Sequence, residues 1–199
     1  MSKPCVVTID GNIGAGKTTV LECLGQRDEA YRLDLEPVVK WQPFLDKMYT
    51  SGTGVFEFQT RVWLDRCWPE MPEGAETLFI ERSPLFQLGV FIPVNTSNDK
   101  LTTDQTQILH ELYDKTLKLW EPDLYIYLRS DPAKCAERII RRGRNSEDNI
   151  QINYLMQLHT LHEEAALVAA SSGKNIKVVN VENNTVAQIT DEIIEIING

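Results

Sequence analysis

Three clusters of residues in this sequence have the types and spacing to handle phosphate. Residues 11 to 18 read GNIGAGKT and fit the pattern G-x-x-x-x-G-K-[ST]. Glycines so placed let backbone N–H groups converge on phosphate oxygens, and a helix beginning there turns its positive end toward them. Gly11, Asn12, Ile13, Gly14, Ala15, Gly16, Lys17 and Thr18 would form that cradle, with Thr19 behind it. Lys17 is placed to reach the β and γ phosphates of a nucleotide, and Thr18 to offer its hydroxyl to Mg²⁺. A glycine-rich turn kept for packing alone would have no use for Lys-Thr. The second cluster, RIIRRGRNSE at 138 to 147, gathers Arg138, Arg141, Arg142 and Arg144 in a chain of formal net charge -9. Such a run is either a solvated helix face or a set of guanidinium forks awaiting an anion. The third comprises Glu36 in LEPVVKW and Glu81, Arg82 and Ser83 in FIERSP. A carboxylate at the rim of a phosphate site suits proton abstraction, but Glu36 is equally readable as a solvated loop charge with Arg82 as its ion-pair partner.

These residues need a scaffold that brings them to one edge. Short, nearly continuous apolar runs at 3–10, 31–36, 77–81, 123–129 and 175–181 read as strands buried on both faces of a parallel sheet. A helix is expected directly after the glycine-rich turn. Further helices are predicted over about 55–67, 104–120 behind a capping box of Thr102 and Gln105, 132–142, 152–170, and a last one carrying Ile189, Ile193, Ile194 and Ile197. Strands alternating with helices imply an α/β domain in which ligands bind beyond the carboxyl ends of the strands. No repeat, low-complexity tract or linker interrupts the chain.

At 199 residues, with 42% hydrophobic and 25% charged residues, one globular domain is expected. No apolar run reaches the length of a membrane span, and the N-terminal stretch lacks a signal-peptide core, so a cytoplasmic protein without a membrane partner is expected. An acidic chain is a poor match for nucleic acid, whose affinity rests on spread Lys and Arg. Cys5, Cys23, Cys67 and Cys135 show neither zinc spacing nor a disulfide framework and are expected as buried thiols. His159 and His162 stand three apart with no third ligand, a spacing that is usually structural.

Taken in order, GNIGAGKTT, E-P-V-x-x-W at 36–41, MYTSGTGVFEFQT at 48–60, E-R-S at 81–83, and RIIRRGRNSE followed by INYLMQLHTLHE resemble the deoxyribonucleoside kinase family nearly end to end. The resemblance implies a P-loop kinase fold over 1–199, with a five-stranded parallel sheet flanked by helices and an arginine-rich lid at about 138–149. It implies ATP as phosphate donor, Mg²⁺, a deoxynucleoside acceptor and homodimers assembled through helices beside the sheet. Glu36 becomes the base for the 5'-hydroxyl, Arg82 its partner, and Glu81 with Thr18 the Mg²⁺ holders. Arg138, Arg142 and Arg144 become the lid arginines over the phosphates, leaving Arg141 as a solvated charge. Lys17 and Arg142 join Glu36 and Arg82 in catalysis.

The same resemblance puts Gln59 on the base edge, with Phe91 and Trp41 on its two sides, and Tyr49 and Glu147 on the sugar 3'-hydroxyl. Without it, Trp41 and Phe91 would read as ordinary core aromatics. Three departures stand out: Ser146 replaces an acid of the lid, the segment between Trp41 and Tyr49 is short, and Gln87 stands where relatives pair an aspartate with the arginine matched by Arg66. A charged Arg66 beside the base would crowd a thymine methyl, favouring deoxycytidine or a purine deoxynucleoside. Two rivals share the P-loop. A nucleoside monophosphate kinase of the thymidylate kinase type would need a basic contact for the acceptor phosphate, which Glu36 would repel, and a nucleotide-dependent binding switch would need N-K-x-D or D-x-x-G, which do not occur.

Overall fold

The computed structural model describes residues 5–70, 72–74, 76–144, Glu147 and 149–199. Ser146 lies outside the described residues. Among them, β1 (Cys5–Gly11), β2 (Tyr31–Asp34), β3 (Thr77–Glu81), β4 (Leu124–Arg129) and β5 (Ile176–Asn180) form one parallel sheet in the order β2-β3-β1-β4-β5. Each lies inside the apolar run that forecast it, except that β1 continues one residue further, to Gly11. In the centre, Val7 of β1 is in register with Phe79 of β3 and Leu124 of β4. The chain leaves β1 toward β2 and leaves β3 toward β4, so the connections diverge between these neighbours and open a crevice at their carboxyl ends.

Both faces of the sheet are covered. On one, α1 (Lys17–Gly25) and α9 (Val186–Asn198) set Val20, Leu21, Leu24, Ile189 and Ile193 against Val7, Ile9, Phe79 and Ile126. On the other, α7 (Pro132–Arg142) and α8 (Ile152–Ser171) bury Cys135, Ile139, Leu155 and Leu158 with Tyr127. A third cluster joins α2 (Val38–Ser51), α3 (Val55–Arg66) and α6 (Thr103–Leu119) through Trp41, Met48, Phe58, Val62, Leu109 and Tyr113. The capping box of α6 is present: Thr102 accepts from the Gln105 N–H, and the Gln105 side chain accepts from the Thr102 N–H at 3.0 Å. The helix ends at Leu119, three residues before Pro122, because Trp120 turns extended and its indole N–H donates to the Cys67 carbonyl.

Two helical segments escape the periodicity. α2 carries Pro43 in its interior and follows Pro37, two residues that argue against a helix in a sequence reading. Pro43 removes the N–H that would bond the carbonyl of Val39, which is exposed and so has water for a partner. The other is α4 (Pro84–Phe86), a π-helical stretch (Gln87–Phe91) and α5 (Ile92–Ser97), one run whose wide middle turn breaks the regular apolar spacing. The four cysteines form no disulfide, but only Cys67 and Cys135 are buried; Cys5 and Cys23 are half-buried at the sheet's first strand and on α1, a correction to the expected burial of all four.

His162 lies in the core rather than at a metal. Its ring is stacked 5.6 Å from both Phe86 and Tyr127, and Nδ1 is 2.6 Å from the Leu158 carbonyl oxygen. Burial pushes its pKa from 6.5 down to about 3, although the bond to Leu158 works the other way. A depressed folded pKa means that the unfolded chain binds a proton which the native one refuses. Stability from the neutral ring is complete above 6.5 and is lost as pH falls toward 3. His162→Phe should flatten acid unfolding across that window, removing a pH-dependent contribution on the order of a few kcal/mol, as followed by denaturant titrations at stepped pH.

Candidate active site

The glycine-rich turn leaves β1 and enters α1 as the sequence expects. Gly14 has φ +80°, and a Cβ there would stand 2.5 Å from the carbonyl oxygen of Cys135 on α7. A Cβ on Gly11, at φ +148°, would stand 2.7 Å from the Leu128 oxygen of β4. These two glycines therefore seat the loop between β4 and α7 where a side chain cannot fit. Lys17 is buried, with Nζ donating to the carbonyls of Gly11 at 3.2 Å and Asn12 at 3.1 Å. Burial, followed by the charge of Arg82, holds its pKa down at about 8, with Glu36, Glu81 and Asp10 opposing. An ammonium whose hydrogen-bond partners among the described residues are loop carbonyls is poised to exchange them for an anion.

Next to Lys17 stand the groups from the ends of β2 and β3. The Arg82 Nε–H donates to Glu36 Oε1, and the guanidinium carbon lies 4.6 Å from the centre of the Phe91 ring. Burial pushes the Glu36 carboxyl up, but the charges of Arg82 and Lys17 and the Arg82 hydrogen bond more than offset it, and the group is held below the carboxylate range. Glu81 goes the other way: burial and then the Glu36 charge raise it. Its Oε1 accepts from Thr18 Oγ1 at 2.8 Å and its Oε2 from the Glu36 N–H at 3.2 Å. A hydroxyl and a carboxylate in contact beside a phosphate cradle are hard oxygen donors that fit a divalent cation sharing phosphate oxygens and water. Among the described residues no group of three His, Cys, Asp or Glu could hold a metal by itself.

The cavity in front of these groups has a volume of about 260 Å³. Ile13, Gly14, Gly16, Lys17, Thr18 and Thr19 line its phosphate end, and Glu36, Glu81 and Arg82 its middle. Trp41, Tyr49, Gln59 and Phe91 line the far end. Trp41 is held there by Asp65, whose Oδ2 accepts its indole N–H at 2.8 Å. Gln59 is buried, and its Oε1 has no hydrogen-bond partner among the described residues. Burial first, then Tyr154 and Glu147, keep the Tyr49 hydroxyl protonated by raising its pKa well above the ordinary value. Met48, Phe58, Val62, Gln87, Asn95 and Tyr154 also face the cavity. Sequence reasoning did not assign them as site residues; Asn95 and Gln87 lie on the irregular helical run whose pitch was not legible.

Several expected contributors stand elsewhere. Arg66 is absent from the lining: it is buried and donates to Asp34 Oδ1 at 2.7 Å and to the Asp34 carbonyl at 3.1 Å. Gln87, which lines the cavity, is neutral where relatives pair an aspartate with the matching arginine, and Arg66 pairs instead with Asp34. Arg138 also does not line the cavity; it reaches Ser130 Oγ at 2.8 Å and the Gly14 carbonyl at 3.5 Å, supporting the loop from outside. Gly11, Asn12 and Ala15 form the loop's floor, with the Asn12 side-chain amide donating to the Leu155 carbonyl at 2.9 Å. Arg142 and Arg144 do face the cavity, and both pair with Glu147, which lines it with Tyr49. Arg141 is exposed.

Comparison with known proteins gives a consistent picture. The sequence profile of the family described as deoxynucleoside kinase matches residues 7–198. Deoxycytidine kinase of Mus musculus is 31% identical over 193 residues, spanning 79% of this chain and 73% of the mouse protein. Mitochondrial thymidine kinase 2 of Macaca fascicularis is likewise 31% identical, over 173 residues, spanning 81% of this chain and 64% of that protein. A solved structure of deoxyadenosine kinase from M. mycoides with the products dCMP and a flexible dCDP superposes with a TM-score of 0.83 at 24% identity, over 97% of this chain and 98% of that one, and so shares the fold.

Because Arg66 is tied to Asp34 and not to the cavity, Arg66→Met should act on stability. Its removal should cost about 2 kcal/mol of unfolding free energy, since Asp34 keeps partial access to water. The order of affinity for nucleoside ligands, measured by calorimetry, should stay the same.

Proposed function

This chain belongs to the deoxynucleoside kinase family, whose activity is ATP-dependent phosphorylation of deoxyribonucleosides to dNMPs, and we propose that the crevice between β1 and β3 carries it with Glu36 as the base. Family membership sets aside the monophosphate kinase and the binding switch. The observation that carries the assignment of roles is the Glu36 and Arg82 pair facing the same cavity as Lys17 and Thr18.

An acceptor 5'-hydroxyl seated against Glu36 donates its hydrogen to the carboxylate and is aligned for attack on the γ-phosphorus of ATP. A carboxylate held low by Arg82 is a weak base, yet phosphoryl transfer has a loose transition state in which alignment counts more than early deprotonation. Arg82 keeps the carboxylate oriented and ionised until Glu36 takes the hydroxyl proton, as the new O–P bond forms and the bond to the leaving ADP oxygen breaks. Lys17 exchanges its loop carbonyls for phosphate oxygens, and Arg142 and Arg144 exchange Glu147 for the transferring group, stabilising the charge that spreads over it. Thr18 and Glu81 would hold Mg²⁺, whose charge offsets that building on the leaving phosphate. With Arg142 and Arg144 drawn to the phosphates, Glu147 and Tyr49 are released to bind the sugar 3'-hydroxyl.

At the far end the base lies between Trp41 and Phe91, with its edge toward Gln59. The unpartnered Gln59 carboxamide both donates and accepts, and Gln87 adds a second neutral amide. Each of these amides can face an amino or a keto edge, so thymidine stands beside deoxycytidine and the purines as a candidate acceptor. Equal identity to deoxycytidine kinase and thymidine kinase 2 ranks neither base above the other.

A homodimer is part of the same proposal. Leu64 of α3, Trp68 just beyond it, and Ile108 and Leu119 of α6 are exposed, apolar surface suited to a second copy. Cysteines without disulfides fit a reducing cytoplasm. No helix among the described residues is long and apolar enough to cross a membrane.

Two measurements test these roles. In a phosphate-transfer panel of the four deoxynucleosides with Mg-ATP, Glu36→Gln should lose about 10²-fold or more in kcat while nucleoside binding persists; unchanged turnover would remove Glu36 from its role. Sedimentation equilibrium should give twice the 22.7 kDa chain mass, and Trp68→Glu with Leu119→Glu should return the monomer.

A further inference from the structure

Arg82 does its work from an unfavourable backbone. Its φ is +70°, a left-handed conformation that costs a side-chain-bearing residue on the order of 1 kcal/mol or more. That turn is what takes the chain out of the sheet immediately after β3. The Arg82 N–H still donates to the Ile9 carbonyl at 3.0 Å, one step beyond the last paired residues, and then the ladder stops. The next N–H, that of Ser83, is buried and has no strand carbonyl to bond. It donates instead to Asp10 Oδ1 at 2.9 Å. Ser83 in turn caps α4, its Oγ accepting from the Phe86 N–H at 3.2 Å.

Asp10 is a costly residue to keep there. It is 1% exposed, and Oδ2 has no partner among the described residues. Burial raises its pKa to about 6, although the bonds from Ser83 and the charges of Arg82 and Lys17 all pull it down. It does not line the cavity, so it takes no direct part in phosphoryl transfer. What it does is replace the missing ladder bond at the one point where the backbone must bend. The guanidinium beyond that bend reaches Glu36, the Gly11 carbonyl at 3.5 Å and the Phe91 ring.

We infer that Asp10 is a positioning residue for phosphoryl transfer, holding Arg82 in its left-handed turn so that the guanidinium meets Glu36. The inference rests on the catalytic reading of Arg82 given above.

The test is a double-mutant cycle with kcat for deoxynucleoside phosphorylation as its readout. Asp10→Ala should lower kcat at least about tenfold, because small displacements of a reacting group are expensive. Asp10→Asn, which keeps an oxygen for the Ser83 N–H, should stay within about threefold of the native rate. Adding Asp10→Ala to Arg82→Gln should cost little beyond Arg82→Gln alone, since the residue to be positioned is already gone. Circular dichroism and melting of each variant separate this from unfolding. If Asp10→Ala does not fold, Asp10→Ser, too short to reach the Ser83 N–H, takes its place. Multiplicative losses in the double variant, or equal losses in the alanine and asparagine variants, would overturn the inference while leaving Arg82 catalytic. Native turnover in Arg82→Gln would instead remove the reading on which it rests.

Discussion

A buried cluster of opposite charges at the carboxyl ends of β1 and β3 is the constraint around which this protein is arranged. Lys17 and Arg82 face Asp10, Glu36 and Glu81, all of them largely withdrawn from water. Charges in such a place are tolerated only when each is paired in good geometry, so the surrounding structure has to hold every one of them. The pairing also divides the labour between two similar residues. Glu36, bonded to Arg82, is held ionised, while Glu81, next to the Glu36 charge, is raised and left oriented by the Thr18 hydroxyl. Two carboxylates thus acquire different chemistry from their neighbours alone.

The sheet exists in this form because that cluster needs a floor. A parallel arrangement sends all five carboxyl ends to one edge, and the diverging connections of β1 and β3 leave room there. Helices on both faces keep water from the strands, which is why the central runs are apolar throughout. Tight contacts continue into the loop: Gly14 lies against the backbone of Cys135 and Gly11 against Leu128, so the phosphate cradle is braced by β4 and α7. The left-handed Arg82 sits where the sheet ends. Strain of this kind persists only when the neighbours overdetermine it.

The two ends of the cavity follow different rules. At the phosphate end positive charge dominates and much of it is provisionally satisfied, Lys17 by loop carbonyls and the arginines at the end of α7 by Glu147. Trading the loop carbonyls leaves no bare charge behind, whereas trading Glu147 frees its carboxylate for a new partner. At the other end the amides of Gln59 and Gln87 are framed by aromatic and aliphatic side chains, and Arg66 pairs with Asp34. Orientation there depends on hydrogen bonds that cost little when inverted, since a carboxamide can offer either face.

Much of this was legible in the chain itself. Short apolar runs locate all five strands, but only the central β3, β1 and β4 are buried along nearly their whole length; the edge strands β2 and β5 are partly exposed, contrary to the expectation of burial on both faces. GNIGAGKT is legible because so few residues fit a backbone wrapped around phosphate, and the family resemblance singled out Glu36, Glu81 and Arg82, which the fold brings to the same cavity. Tertiary structure decided what local pattern cannot carry. Whether Arg66 faced the base or turned to Asp34 depended on a partner 32 residues away on another element. The helices holding Trp41, Tyr49, Gln87 and Phe91 were hidden by an interior proline and a π turn, both of which break the 3.6-residue rhythm. Asp10 reads in sequence as a polar residue ending a strand, and only the bend at Arg82, 72 positions later, shows what its carboxylate is for. Periodicity reports which face of an element meets the core; it does not report which distant backbone group will be left needing a bond.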